Sequence, residues 1–341
     1  MERSAGRTRF VNGSSAGEAR ITAEGAGSGS AIGGSISFGD NADPFKSTLA
    51  VKGGTNGGTG GRIAFFGNTH SSQARVILDR GTGAGAGAGG GIDISGISPA
   101  GIALGSIEGG GVVSLGSKRL VMWSPTADTA FSGAIRDGGS SGGIGGTRVG
   151  DGVSADSGKL VVANLTGSGT GSGAVDVMRG GTLSGSGVID GHVVLHAGGT
   201  IAPGDPVTLT LRDSLTWDGG SVIRLVLGAD NAGSDHLRVG SLVRGTAGSF
   251  RFDLVDWGVV PGQEYDLLSF DSIAGFSLAD FSTHGVAGEP SFDGNMVAFT
   301  AAGMPAAAVP EPSTVLLMAA GLIGIWSSAR RRRRRQSASA R

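Results

Sequence analysis

Two histidines four residues apart, His192 and His196 in His-Val-Val-Leu-His, have a spacing that invites chemistry. On a helix they would share a face and could share a metal ion. Flanking valines and glycines favour a strand, where such positions lie about 13 Å apart at ~3.3 Å per residue. No glutamate follows His192 as in a metalloprotease helix, so both are read as solvent-facing strand positions. Gly138-Gly139-Ser140-Ser141-Gly142 has the form Gly-x-Ser-x-Gly. A nucleophile elbow must join a strand to a helix, and nothing around it predicts a helix. The Gly-x-Gly spacings between Ala84 and Gly91 also lack the helix that phosphate binding needs, so a turn is expected. Asp230, Asn231 and Asp235 surround Gly233 and offer oxygen ligands of the kind calcium takes. Their spacing matches neither an EF-hand nor the Gly-Gly-x-Gly-x-Asp repeat. Asp176, Asp190 and Asp213 would serve a polysaccharide-cleaving site only if register stacked them on one outer face. The expectation is no catalytic residue, no cofactor and no metal site.

The elements that would carry these residues are short. Of 341 residues 68 are glycine, roughly a fifth against a usual ~7%, without the strict period of three that collagen requires. Apolar residues make up 39%, enough for a core, and charged residues 16%. This fits many short strands joined by tight turns. There is no cysteine, which excludes disulfides and thiolate metal sites.

The runs repeat. Phe10, Phe38 and Phe65 are spaced by 28 and 27 residues, and Ala19-Arg20-Ile21 aligns with Ala74-Arg75-Val76 at an offset of 55. Gly33-Gly34-Ser35-Ile36, Gly60-Gly61-Arg62-Ile63 and Gly89-Gly90-Gly91-Ile92 keep the same beat. A period in this range signals a solenoid. Runs such as Ser35-Ile36-Ser37-Phe38 alternate with period two, so the repeat unit is strand and turn rather than helix. From about Gly158 the beat shortens. Gly180-Gly181-Thr182-Leu183 recurs as Gly198-Gly199-Thr200-Ile201, 18 residues later, and Gly219-Gly220-Ser221-Val222 comes 21 after that. Coils of this kind stack as a right-handed parallel β-helix with Ile, Val, Leu and Phe inside. Phe250-Arg251-Phe252-Asp253-Leu254-Val255 and Tyr265 to Phe270 are less repetitive and, with Trp257, hold many of the aromatics. They are expected to close the open end of the core.

The glycine-serine run Gly167 to Gly173, Gly-Gly-Thr-Leu at 180–183, Gly-Gly-Thr-Ile-Ala-Pro-Gly at 198–204 and Ser234-Asp235-His236-Leu237 resemble the autotransporter-associated β-strand repeat. The resemblance covers about residues 158–270. It implies a parallel β-helix. Where an autotransporter would continue into its barrel, this chain carries a different tail.

That tail has three parts in order: Val309-Pro310-Glu311-Pro312-Ser313, the uncharged run 313–329, and Arg330 to Arg335. Proline stops preceding structure. The run is 17 residues, about 25 Å as a helix, at the short end of what crosses a bilayer. The arginines Arg330, Arg331, Arg332, Arg333, Arg334 and Arg335 would stay cytoplasmic. The arrangement, from about Ala306 to Arg335, resembles the PEP-CTERM sorting signal of Gram-negative surface proteins, sometimes labelled an ice-binding-protein C-terminal motif. The resemblance implies Val309, Pro310, Glu311 and Pro312 as recognition element, an exosortase-type membrane peptidase and the lipid bilayer as partners, and extracellular polysaccharide around the displayed protein.

Charge agrees with that placement. Residues 305–341 hold seven of the 27 basic residues and one of the 28 acidic ones, so the rest carries 20 and 27, a balance of −7. An acidic body argues against nucleic acid. Met1 to Arg9 is polar and basic with no apolar run behind it, so the signal peptide that export requires is expected upstream of Met1.

The expectation is therefore an all-β chain: a right-handed parallel β-helix (solenoid) with a C-terminal β cap, followed by a single transmembrane helix. Its parts are glycine-rich repeats at 1–157, autotransporter-type repeats at 158–249, the cap at 250–303 and the sorting signal at 304–341. Within the last, the motif is 309–313, the helix 313–329 and the basic tail 330–335. The function expected is a non-enzymatic surface or matrix structural protein, first anchored in the inner membrane. An adhesin or glycan-binding module is the alternative, and a polysaccharide-degrading β-helix enzyme a further one.

Overall fold

A computed structural model describes residues 5–29, 31–69, 72–82, 89–122, 130–149, 158–164, 167–204 and 206–303. The chain divides into Met1–Ala302 and Gly303–Arg341. The described residues of the first unit form a right-handed parallel β-solenoid of about nine coils. The expected helix 313–329 and its flanking motifs lie outside the described residues. Among the described residues no helix is long and apolar enough to cross a membrane.

Among the described residues three sheets make the walls, of six, eleven and eleven strands. The first runs from Arg7–Phe10 through Ser35–Phe38, Arg62–Gly67, Gly91–Ile97 and Val112–Ser114 to Ala134–Arg136. The second starts at Gly101–Leu104 and the third at Arg20–Ala23. Early coils alternate between the first and third sheets. The coils of residues 91–149 visit all three, and later coils alternate between the second and third. The coil length changes accordingly. Arg7, Ser35, Arg62 and Gly91 stack at intervals of 28, 27 and 29 residues, whereas Gly91, Val112 and Ala134 stack at 21 and 22.

Parallel, in-register stacking explains why the repeat is visible in sequence. Ile36, Ile63, Ile92, Val113 and Ile135 occupy equivalent inward positions on successive coils, each at most 2% exposed. Burying such a side chain contributes about 1.5–3 kcal/mol, before the entropy of ordering the chain is subtracted. Phe10 pairs with Phe38 and Phe38 with Phe65. Their rings stack at 4.8 and 5.4 Å, close to the ~4.8 Å between neighbouring strands. The 55-residue offset is two coils: Arg20 pairs with Thr48, and Thr48 with Arg75.

Glycine is needed where coils turn against one another. A Cβ on Gly173 would stand 1.6 Å from the Gly145 carbonyl oxygen, and one on Gly191 would stand 2.0 Å from that of Gly173. This column has room only for hydrogen at each turn, which accounts for part of the glycine content.

The second half keeps the expected pairing of 180–183 with 198–201, Thr182 facing Thr200 and Leu183 facing Ile201. The next coil is one residue longer than the glycine spacing indicates, since Thr200 pairs with Val222. Burial sets that phase. Ile223, Leu225 and Leu227 take the inward positions, and Ser221 turns inward with them and donates to the Asp218 carbonyl at 2.6 Å.

At the C-terminal end Phe250–Asp256 still pairs in parallel, with Ser221–Leu227. The chain then doubles back: Met296–Ala301 lies antiparallel to Glu264–Ala274 and to Gly288–Asp293. Trp217 sits fully buried there among Phe250, Phe252, Phe276 and Phe281, with ring centroids 5.2–6.1 Å away. Trp257, in the same region, stands 66% exposed. It follows the last strand residue and begins a loop rather than an inward position.

Candidate functional site

On the outer face of the first sheet the small residues Gly61, Gly89 and Gly91 leave an open groove of about 720 Å³. Arg7, Ser35, Arg62, Asp93, Ser114 and Arg136 line it. Strand register brings them together. Arg7, Ser35 and Arg62 occupy one outward column, and Asp93, Ser114 and Arg136 the next.

Asp93 is the organising group, 3% exposed although on the outer face. The loop 138–142 covers it. Its Oδ1 accepts from the Ser95 amide at 2.9 Å and the Ser95 hydroxyl at 2.6 Å, and its Oδ2 from the Ser140 amide at 3.0 Å. Arg62 completes the set with an ion pair to Oδ2. Burial alone would raise this carboxyl. The hydrogen bonds from Ser95 and Ser140 outweigh that and hold it below its ordinary value. Gly139, at φ +93°, cannot carry a side chain here, because a Cβ would meet Ser95 Oγ at 2.7 Å and Asp93 Oδ1 at 2.8 Å.

This is what the Gly-x-Ser-x-Gly sequence does. Ser140 Oγ faces Ser95 Oγ at 3.1 Å, the segment is a turn, its Ser140 amide holds the Asp93 carboxylate and its Ser141 amide the Ser95 hydroxyl. Alternation in Gly91-Ile92-Asp93-Ile94 marks Asp93 as outward, but apart from nearby Ser95 its partners, Arg62 and Ser140, lie 31 and 47 residues away and leave no sequence signal. The Gly-rich stretch 84–91 is described only from Gly89.

Asp93 makes stability depend on pH. Its folded pKa is depressed, so its stabilisation is present above the unfolded value and lost as pH falls through the folded one. Asp93→Asn is expected to remove part of the stability loss seen below about pH 4. It also destabilises at neutral pH, because Arg62 loses its partner. Urea midpoints of both proteins at pH 7 and pH 3 check this. Equal losses on acidification in both would rule out Asp93 as a contributor.

His192 and His196 flank the strand Val193–Leu195 on its outward side. They are half-buried and partnered rather than simply solvated. His196 Nε2 lies 3.1 Å from Asp176 Oδ1, and its Nδ1 lies 3.1 Å from Asp218 Oδ2. Arg119 approaches Asp176 at 3.7 Å, and the Thr246 amide donates to Asp218 at 2.8 Å. The result is a polar ladder that links successive coils. His192 Nδ1 meets Ser214 Oγ at 2.6 Å.

The three aspartates have separate partners. Asp176 has His196 and Arg119, and Asp190 accepts from Arg212 at 2.9 Å. Asp213, at the register shift between Leu211 and Ser214, accepts from Ser214 at 3.4 Å.

The 230–235 loop turns its oxygens on main-chain amides. Asp230 takes Gly233 at 2.8 Å, Asn231 takes Asp266 at 2.9 Å, and buried Asp235 takes Val226 at 3.0 Å. Neighbouring His236 lines a cavity of about 220 Å³ with Asn231 and Asp266. Burial lowers its pKa, against the opposing pull of Asp266. Among the described residues no group of three or more His, Cys, Asp or Glu side chains is placed to hold a metal ion.

The described residues thus define a parallel β-solenoid with polar outer ladders. The profile of the PEP-CTERM protein-sorting motif matches residues 308–334 of the same chain. The match takes in Val309 to Pro312 and Arg330 to Arg334, all outside the described residues, and covers less than a tenth of the chain. It implies an exported, membrane-processed protein that reaches the cell surface. Comparison with curated proteins found no match.

Proposed function

We propose that this chain is a non-catalytic surface or matrix structural protein, its solenoid displayed outside the inner membrane by the PEP-CTERM signal. The observation that carries the reading is the pairing of stacked strands in one chain with a sorting motif. Backbone ladders tie each coil to the next, so the body resists proteolysis through hydrogen bonds inaccessible to an extended-chain protease. The 18-residue pairing of 182–185 with 200–203 supports kinship with autotransporter-associated repeats. An exosortase-type peptidase is the partner for the tail, with residues 313–329 as a transient span.

The test is the intact mass of the mature protein, expressed with its native upstream sequence in a host carrying an exosortase. Loss of everything beyond Pro310–Pro312 is expected. Retention of Arg330 to Arg335 would replace sorting with a permanent tail anchor.

A second reading, binding of acidic extracellular glycan, draws on the groove of the first sheet. Arg7, Arg62 and Arg136 line it against Asp93 alone, an excess of cation on a body that is otherwise acidic. Guanidinium forks suit carboxylates. Arg136→Ala is expected to weaken binding of a uronic-acid oligosaccharide about tenfold, consistent with roughly 1.5 kcal/mol for a hydrogen bond to a charged group, as measured by calorimetry. Equal affinity in both proteins, or none in either, would remove this reading.

A further inference from the structure

We propose that the loop Trp257–Pro261 is a built apolar tip that lies on a zwitterionic lipid surface while the chain is still tethered; this rests on the sorting reading above. The six residues Trp257-Gly258-Val259-Val260-Pro261-Gly262 carry no charge. Trp257 is 66% exposed, Val260 44% and the preceding Val255 38%.

Such a loop could be loose, but this one is fastened at every turn. The Trp257 amide donates to the Leu227 carbonyl at 2.8 Å. Asp256 Oδ1 accepts from the Gly258 and Val259 amides, both at 2.9 Å. The buried Tyr265 hydroxyl accepts from the Val260 amide at 2.9 Å and donates to the Gly228 carbonyl at 3.0 Å. Main-chain groups are thereby satisfied from inside, and the indole is held outward. An indole with an apolar body and one N–H donor suits the boundary between headgroups and acyl chains.

The place of the loop in the chain selects the occupant. The Gly262 amide donates to the Ala301 carbonyl at 2.9 Å, and the Ala301 amide to the Gln263 carbonyl at 3.0 Å. The loop is therefore hydrogen-bonded to the residue from which the chain leaves the solenoid. The twelve residue steps from Ala301 to Ser313, where the uncharged run begins, reach at most about 43 Å fully extended. The exposed acids beside the exit, Glu264 and Glu289, both pair in register with Thr300. They disfavour an anionic surface, so the contact is apolar and made to zwitterionic headgroups.

The full chain reconstituted in phosphatidylcholine vesicles tests this by tryptophan fluorescence with spin-labelled lipids, each reading compared with Trp257→Phe. Of the other three tryptophans, Trp217 is buried in the solenoid, Trp326 lies in the uncharged run and reports on the tether, and Trp123 is common to both proteins and cancels in the comparison. Expected are quenching of Trp326 by deep labels in both proteins and a shallow-label component that Trp257→Phe removes. If Trp326 is quenched but the Trp257 component responds only to aqueous iodide, the tip is overturned and the tether stands. If Trp257 is shielded from both lipid label and iodide, another occupant covers it and the proposal fails. If no lipid label reaches Trp326, the tether fails and the tip with it.

Discussion

Trp217→Ala will destabilise the C-terminal coils by about 3–5 kcal/mol, the range for emptying a large aromatic site in a core. The indole is fully buried, edge-on to Phe250 and Phe252 and tilted against Phe276 and Phe281. Its strand, Thr208–Trp217, is held by neighbours on both sides. Those rings belong to strands and turns that cannot all move into the hole, so collapse is incomplete and the cavity cost is retained. Trp217→Phe should cost less than half as much. It keeps an aromatic ring, and it removes an indole N–H that has no partner among the described residues, a group that costs about 1–3 kcal/mol when left unsatisfied.

The loss should also be local. In a solenoid each coil contacts mainly its neighbours, so stability is a sum of coil and interface terms. Hydrogen exchange is expected to show lost protection across Thr208–His284 while Ser35–Leu78, with its own stacked phenylalanines, stays protected. A unchanged urea midpoint for Trp217→Ala would mean that the aromatic cluster does not hold this end together. Uniform loss of protection along the chain would mean that the coils unfold as one unit, against nearest-neighbour behaviour.

The same nearest-neighbour logic explains what could be read without coordinates. Where coils stack in register, one structural position recurs as one residue type, so Phe10, Phe38 and Phe65, or Leu183 and Ile201, announce their pairing. Turns obey no such rule. A turn can gain a residue without disturbing the ladder, as between Thr200 and Val222, and the glycine spacing then misleads by one. The third wall over residues 91–149 was illegible for a related reason: alternation gives strand and phase but not the sheet a strand joins. The Asp93 cluster depends on a contact between Ser95 and a loop 45 residues on. The outward placement of Trp257 depends on hydrogen bonds to Asp256 and Tyr265, not on composition. For the tail the position is reversed, since its parts are contiguous and legible in sequence.

The tail carries the other large effect. Replacing Arg330 to Arg335 with glutamine is expected to abolish accumulation of processed protein at the cell surface. The uncharged run is only 17 residues, about 25 Å as a helix against roughly 30 Å of hydrocarbon, so hydropathy alone holds it weakly. Each arginine at the bilayer centre costs about 2.5–3.5 kcal/mol. On the proposed sorting reading, six in a row would make passage of the C-terminus prohibitive and so would fix both the stop and the orientation. Without them the segment would slip through, and the Pro-Glu-Pro motif would no longer be presented at a constant depth. Glu311→Gln separates recognition from anchoring. It leaves the span, the prolines and the arginines in place, so the protein should remain membrane-bound with its full mass. The arginine variant should instead appear unprocessed in the soluble exported fraction. Fractionation with intact-mass measurement distinguishes them. Normal processing of the glutamine-tail protein would show that the arginines do not set the span, and normal processing of Glu311→Gln would remove that carboxylate from the recognition element.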